Sequence, residues 1–417
     1  MICFCLASLK TLVTLTNPWQ GRLRGLAVVV LGARRLTSIA KQLADKSTDT
    51  EVVSSPIENL YQFVLAAPFS AAPAKAKELF QLLEQRRVQF SYVDDPGFVF
   101  EAGSTSEEGL IRASVPTLEL LWAAAYSYWE MYQLITAVQR RPDRRRMRTE
   151  FNRRVEMEDL YGWALANVAR GAGEEWPPQL PLPSLSYERG SAVHVATELF
   201  LVAVAWILHH EVGHIVFRHS DEKSRSVRAH EWEADERATS WLFDGVEDIA
   251  IRQKLGLGLV VALAMLAARR KPGEHSTAPE DHPHPLERLP HALAAIGAGD
   301  NDVVYAFAIA ALQMNMILTN YTYVPVSDAS FRIQLEDLCM VLRSHHSRHW
   351  ISMPTDRLPV YWTASLYPPG EQEISTAAYQ LWLKRGRPTD SPDADWFVAE
   401  RLLNDFLARR RAGVGWP

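Results

Sequence analysis

SAVHVATELFLVAVAWILHHEVGH, residues 191–214, is the most informative stretch of this sequence. Ser191 is a favourable helix N-cap, and the residues after it are apolar on nearly every helical face as far as Leu208. A helix with this pattern is typical of a domain interior. It therefore predicts that its last turns, which carry His210–His214, are delivered into an internal cavity.

The residues His210–His214 form an HExxH motif on this predicted helix. The two histidines are four residues apart, so their imidazoles share one face and can bind a single Zn²⁺. Glu211 lies at the flank of that pair, where it can take a proton from a water activated by the metal and pass it to a leaving amine. The motif predicts a hydrolase with one zinc ion per chain, held by His210 and His214, and with Glu211 as the catalytic base.

A zinc site needs a third protein ligand, and the sequence excludes one familiar source of it. In the pattern HExxHxxGxxH a third histidine completes the site, but here Phe217 stands in place of the glycine and Ser220 in place of the histidine. A second predicted helix, His230–Ala238, offers carboxylates instead. Its small residues Ala234 and Ala238 would allow it to approach the HExxH helix closely.

Glu231 and Asp235 are one helical turn apart on this second helix. One of them can bind the metal while the other accepts a hydrogen bond from a ligand histidine. Glu231 is the preferred ligand because Asp235 accompanies it at this spacing. His230 and Glu233 are alternative ligands if the register differs by one or two residues.

These two motifs together resemble the glutamate-zincin peptidases, especially the prenyl-protein and heat-shock proteases of the inner membrane. The resemblance implies that Glu231 is the third ligand and that Asp235 orients a ligand histidine. The segment from His282 to Arg288, HPHPLER, is similar to a His-Pro and downstream Arg segment of that group. This implies that His282 or Arg288 stabilises the tetrahedral oxyanion, whereas the residues alone indicate only a loop.

A closer resemblance is to the soluble phage-exclusion (Lit-type) peptidases, over about residues 85–300. It is carried by the doubled histidine before Glu211 and by Trp232 in the second motif. Members of that group cleave elongation factor Tu. The resemblance implies a peptidase with a protein or peptide substrate, with a translation factor as a candidate and phage defence as a role.

The C-terminal part resembles a short bacterial module of unknown function. AYQLW at 378–382, GRP at 386–388 and WFVAER at 396–401 carry that resemblance. We expect a helical hairpin in which Trp382 packs against Trp396. A docking or regulatory appendage and a plain C-terminal hairpin both remain open.

The expected fold is mainly α with a small β-sheet (α+β), zincin-like, with the HExxH helix beside a sheet edge. Val88–Val93 and Phe98–Ala102, separated by a turn-rich segment, predict a β-hairpin that forms this edge. Pro116 is expected to open a helix to Val138, whose aromatic stripe either packs in the core or lines a substrate groove. The expected divisions are an N-terminal segment of unknown role (1–50), a zinc metallopeptidase domain (51–325), a connecting region (326–372) and a short helical module (373–410).

Composition and charge indicate a globular protein without a polyanionic partner. Apolar residues make up 47% of the chain, charged residues 22%, and the formal net charge is -5. Eight arginines between Arg140 and Arg154 either bind an acidic partner or nucleic acid, or form a solvated helix face, and the acidic chain favours the solvated face. We therefore expect no nucleic-acid binding.

Neither a membrane anchor nor an oxidising compartment is indicated. Three apolar stretches fall short of the roughly 18–20 residues that cross a bilayer and are predicted to be core helices: Leu199–Leu208, Leu257–Ala268 and Val303–Leu312. The apolar N-terminus is a poor signal peptide, and an early strand is expected at Leu26–Leu31. With only three cysteines, the chain fits a reducing, cytoplasmic location without membrane partners.

Two other functions are compatible with these motifs. In the first, the zinc-bearing helix pair is a catalytically silent scaffold of a regulatory protein, and the C-terminal module binds the partner. In the second, the site hydrolyses a non-peptide amide, because the motif positions a water without specifying the acyl group it attacks.

Overall fold

The computed structural model describes residues 55–347, with short gaps, together with residues 374, 378 and 395–401. The gaps are 86–87, 94, 96, 105–107, 139–143, 171–174, 185–186, 220–224, 269–281 and 319–328. For residues 144–155, 341 and 344–347 only the backbone is described. The expectations for residues 1–50, for the basic side chains of 140–154 and for Trp382 lie outside the described residues.

The described residues are mostly helical, with one small sheet, as predicted. The helices are α1 (Tyr61–Ala71), α2 (Ala76–Gln85), α3 (Val115–Val138), α4 (Arg144–Arg170), α5 (Ala192–Phe217), α6 (Val227–Phe243), α7 (Ile249–Ala268), α8 (Pro285–Ala295), α9 (Val303–Leu318) and α10 (Phe331–Ser347). Short 3₁₀ turns lie at Pro56–Leu60 and Pro73–Lys75. The strands are β1 (Gln89–Val93), β2 (Phe100–Ser104) and β3 (Gly109–Ser114).

The motif-bearing helix α5 lies at the centre of the helical core. It packs against α1, α3, α6 and α7, and its side toward the sheet contacts β2 and β3. Its side chains are buried almost without interruption from Ala196 to Gly213, which explains why its sequence is apolar on every face. The HExxH helix therefore lies beside a sheet edge, as the sequence predicts.

The sheet corrects the predicted β-hairpin. β1 and β2 do not pair with each other, because β3 lies between them in the order β1-β3-β2. β3 runs parallel to β1 and antiparallel to β2. Local turn residues indicated the chain reversal correctly, but they carried no information about a later strand that inserts between the two. β2 is left as the edge strand next to α5.

The predicted core elements are confirmed. α3 begins one residue before Pro116, and its stripe of Trp122, Tyr126 and Trp129 is buried in the core rather than exposed to a groove. The three apolar stretches lie inside α5, α7 and α9 and are buried. α5 and α7 are long and apolar enough to cross a membrane by length and composition alone, yet 83% and 61% of their apolar windows are buried inside the protein.

Gly258 allows α7 to lie directly against the motif helix. A Cβ at this position would overlap the Val202 side chain and lie 3.2 Å from the backbone nitrogen of Ala203. A contact this close leaves no space for a methyl group between the two helices.

We expect Gly258→Ala to lower the free energy of unfolding by about 1–3 kcal/mol, because the overlap with Val202 outweighs the better helix propensity of alanine. Gly299→Ala is the matched control, since a Cβ there would meet nothing within 4 Å. Chemical denaturation of both variants measures the difference. Equal stability of the two variants would contradict the proposed close packing.

Candidate metal centre

Two helices, α5 and α6, build the site, and the local sequence explains where each of them begins. α5 begins after Ser191, whose side chain accepts a hydrogen bond from the backbone of His194. α6 begins after Ser226, which caps its first turn through the backbone of Ala229. The motif histidines thus lie in the last turns of α5, and the acidic residues lie in the first half of α6.

The two helices approach closely at Gly213. A Cβ on Gly213 would lie 3.3 Å from the Cα of Ala234, and both Ala234 and Ala238 are fully buried. The prediction that small residues of the second helix permit a close approach is confirmed. This packing brings Glu231 opposite the two motif histidines.

The three predicted ligands lie together with their donor atoms facing one another. His210, His214 and Glu231 each offer one atom, and these atoms lie within 4.8 Å of one another. The two Nε2 atoms are 3.0 Å apart, and they lie 3.5 Å (His210) and 3.4 Å (His214) from the Glu231 carboxylate. Ligands at about 2.0–2.1 Å from one tetrahedral zinc are separated by about 3.3 Å, so the residues fit such an ion.

Among the described residues, the alternative ligands His230 and Glu233 are not part of the group of donor atoms formed by His210, His214 and Glu231. His230 stacks on the ring of His219, with ring centroids 4.1 Å apart. Glu233 accepts hydrogen bonds from His219 and Arg225 on the outer side of the cluster. The geometry therefore supports Glu231 as the third ligand and gives Glu233 a different position.

Asp235 lies behind His210, in the position expected from the sequence. Its Oδ1 is 2.9 Å from His210 Nδ1, which leaves Nε2 facing the centre. Burial by itself would lower the pKa of His210, but the contacts with Asp235 and Glu231 outweigh it and raise the pKa to about 9. Metal binding to Nε2 therefore has to displace a proton from His210.

Arg288 holds Asp235 in place with both arms of its guanidinium group. Nε and Nη2 donate to the two carboxylate oxygens at 2.7 Å and 2.6 Å, and Nη1 lies 3.4 Å from Glu231. Burial would raise the pKa of Asp235, but the charge of Arg288 and the contact with His210 hold it below its ordinary value. These contacts give Arg288 a positioning role toward Asp235. Arg288 also lines the cavity over the cluster, and its predicted contact with an oxyanion stays a prediction.

His282 lies at the rim of the same cluster. Its side chain is 60% exposed, and its Nε2 is 3.6 Å from Glu231. It also lines the cavity that contains the three ligands. Of the two residues predicted to stabilise an oxyanion, His282 has the more exposed side chain.

Glu211 is buried between the ligand histidines and the edge strand. The backbone N–H of Ala102 in β2 donates a hydrogen bond to its carboxylate. Burial raises the pKa of Glu211 above its ordinary value, and the neighbouring imidazoles of His210 and His214 oppose that rise. A buried carboxylate with a raised pKa is a better proton acceptor than an ordinary exposed one.

A cavity of about 510 Å³ opens over these residues. One wall is formed by the edge strand together with Phe98, and another by the last part of α5. Much of the lining of these walls is apolar: Phe98, Phe100, Trp206, Ile207 and Leu266. A concave apolar site with a few converging polar groups is typical of a binding site for a substrate.

Comparison with known proteins supports a peptidase. Residues 111–308 match the Peptidase U49 family. This range contains every predicted site residue but begins after the edge strand β2. The chain is also similar to the cell death peptidase of Escherichia coli (strain K12), with 28% identity over 262 residues. That alignment covers 62% of this chain and 88% of the relative.

The predicted resemblance to this type of peptidase is therefore confirmed. Residues 370–405 match a family described as a protein of unknown function (DUF2934), in agreement with the module predicted at the C-terminus. There, Ile374, Ala378 and Ala399 form a small buried cluster on which Trp396 packs. No solved structure gives a significant match.

Proposed function

We propose that the chain is a zinc-dependent endopeptidase with Glu211 as its catalytic base. The observation that carries the proposal is the convergence of His210 Nε2, His214 Nε2 and the Glu231 carboxylate, with Glu211 beside them in one cavity. Two imidazoles and one carboxylate are the ligand set of several zinc peptidases. The match to the Peptidase U49 family supports the same conclusion.

Zinc bound by these three side chains would act as a Lewis acid on the scissile carbonyl and lower the pKa of a nearby water. Glu211 then takes the proton of the attacking water and delivers it to the leaving amine. Asp235 keeps the Nδ1 proton of His210 in place, and Arg288 keeps Asp235 in place. We expect His282, at the rim of the cluster, to donate to the developing oxyanion.

The edge strand offers a surface for an extended peptide. Val99 accepts a hydrogen bond from the backbone of Ser114, so the odd-numbered residues of this strand direct their backbone groups toward β3. Phe100 and Ala102 consequently direct theirs away from β3, and the contact of Ala102 with Glu211 places this side over the site. A substrate that adds to β2 as a further strand would lie across the cluster.

The zinc content of the wild type and of Glu231→Ala, purified side by side, tests the metal site. We expect about one equivalent in the wild type and a marked loss in the variant, because two histidines alone hold zinc weakly. Glu236→Ala is the control, since Glu236 is an exposed acid on the same helix. A wild type without zinc under saturating conditions would overturn the proposed function.

The resemblance to the phage-exclusion peptidases carries three finer predictions. They are a role in phage defence, a translation factor as the substrate and a cytoplasmic location. Each stays a prediction. The geometry of the site does not by itself identify the protein that is cleaved.

A further inference from the structure

The end of α5 brings a third histidine, His219, to the metal centre. Arg218, the residue that ends the helix, has a left-handed backbone conformation with φ 55°. This turn reverses the chain, so that the backbone N–H of His219 donates to the carbonyl of His214 at 3.1 Å. The His219 side chain then lies over His214, and its Nδ1 is 2.8 Å from the Nδ1 of His214.

The surroundings of His219 fix its ring. The ring stacks on that of His230, with centroids 4.1 Å apart and 6° between planes, and on that of Phe217, with centroids 5.5 Å apart. Only 5% of the side chain is exposed. Its second nitrogen, Nε2, lies 3.1 Å from Glu233, and Arg225 donates to the same Glu233 oxygen at 2.7 Å.

These contacts determine where the protons lie. Glu233 can only accept as a carboxylate, so Nε2 of a neutral His219 carries the proton and its Nδ1 is an acceptor. The Nδ1 of His214 must then be the donor in the contact between the two rings. This leaves the lone pair of His214 Nε2 facing His210 and Glu231, which is the state that a metal ligand requires.

We propose that His219, held by Glu233, is a positioning residue for the metal ligand His214. It does for His214 what Asp235 does for His210, since each of these groups accepts the Nδ1 proton of one ligand. The side chain of His214 is 20% exposed, whereas that of His210 is 7% exposed. Packing alone therefore restrains the His214 ring less, and a hydrogen-bond partner at Nδ1 is needed to orient it. A neutral acceptor also avoids a further negative charge beside Glu211, Glu231 and Asp235.

The proposal rests on the proposed zinc site and is tested by zinc affinity rather than by activity. Zinc dissociation constants are measured by competition with a chromogenic chelator on the metal-free full-length chain. His219→Phe keeps a ring for the stack with His230 but has no acceptor. His219→Asn loses the ring but can place its side-chain oxygen near the position of Nδ1.

We expect His219→Phe to bind zinc about 10- to 100-fold more weakly than the wild type, and His219→Asn to recover much of that loss. A purely structural role would give the reverse order, with the ring-preserving variant closer to the wild type. Glu233→Gln is expected to weaken binding by about 3- to 10-fold, against an unchanged affinity for Glu236→Gln on the exposed side of α6. Melting of the metal-free proteins shows which variants are folded.

The results test the zinc site and the role of His219 separately. A wild type that binds no zinc overturns the proposed function. A wild type that binds zinc, together with a His219→Phe variant of equal affinity, overturns only the positioning role. If His219→Phe fails to fold, the comparison of Glu233→Gln with Glu236→Gln decides, and equal affinities in that pair overturn the role as well.

Discussion

Glu211→Gln is expected to bind zinc as the wild type does and to lose peptidase activity by about 10²- to 10⁴-fold. Glutamine keeps the size of the side chain and an acceptor for the backbone N–H of Ala102, so the cavity is preserved. It cannot take a proton from the attacking water. The loss should therefore appear in kcat, with little change in KM.

A mixture of protein-derived peptides, analysed by mass spectrometry for new termini, provides a readout that does not require the natural substrate. Glu236→Gln is the matched control, because it removes the same charge from an exposed part of the site's second helix. Full activity in Glu211→Gln would refute the assigned base. The same experiment addresses the two alternative functions identified from the sequence.

A silent zinc scaffold predicts that the wild type and Glu211→Gln are indistinguishable in every assay, while deletion of residues 373–410 abolishes partner binding. A hydrolase of non-peptide amides predicts that Glu211→Gln abolishes an activity that peptides do not reveal. The edge strand and the apolar cavity beside Glu211 favour the peptidase over both.

Arg288→Met is expected to destabilise the protein by about 3–5 kcal/mol. Removing the guanidinium leaves the carboxylate of Asp235, which is 3% exposed, without its charged partner in the protein interior. Urea denaturation of the metal-free protein measures the change in the free energy of unfolding. An effect below about 1 kcal/mol would show that Asp235 does not depend on this pair.

A double variant distinguishes positioning from substrate contact. In Arg288→Met with Asp235→Leu, both charges of the pair are absent, so part of the lost stability should return. Zinc affinity should not recover, because the double variant has also lost Asp235, the acceptor of the His210 Nδ1 proton. If Arg288 acted mainly on the oxyanion, Arg288→Met would instead lower kcat and leave zinc affinity unchanged.

The metal ligands could be predicted from the sequence because their geometry is local. The spacing of His210 and His214 within one helix fixes their relative position, and the spacing of Glu231 and Asp235 does the same on the second helix. Only the approach of the two helices had to be assumed, and Gly213 and Ala234 make that approach possible.

The order of the strands in the sheet and the position of His219 beside His214 could not be predicted in the same way. The insertion of β3 between β1 and β2 depends on pairing between residues distant in sequence, which turn signals do not report. The pattern HExxHxxGxxH does not indicate His219, because it places a third histidine at position 220 and requires glycine at 217. The available signal was a histidine directly after the end of the helix. The left-handed turn at Arg218 brings this histidine back toward His214.

The same distance in sequence has a consequence for a chain that is still being synthesised. Ala102 on the edge strand contacts Glu211, and the pair between Asp235 and Arg288 closes the site only after residue 288 has been made. A ribosome that adds about 5–20 residues per second needs on the order of 10–40 s to travel from the edge strand to Arg288. During that interval the emerging polypeptide has no assembled centre, so a peptidase built in this way cannot cut the proteins around its own ribosome before most of its chain exists.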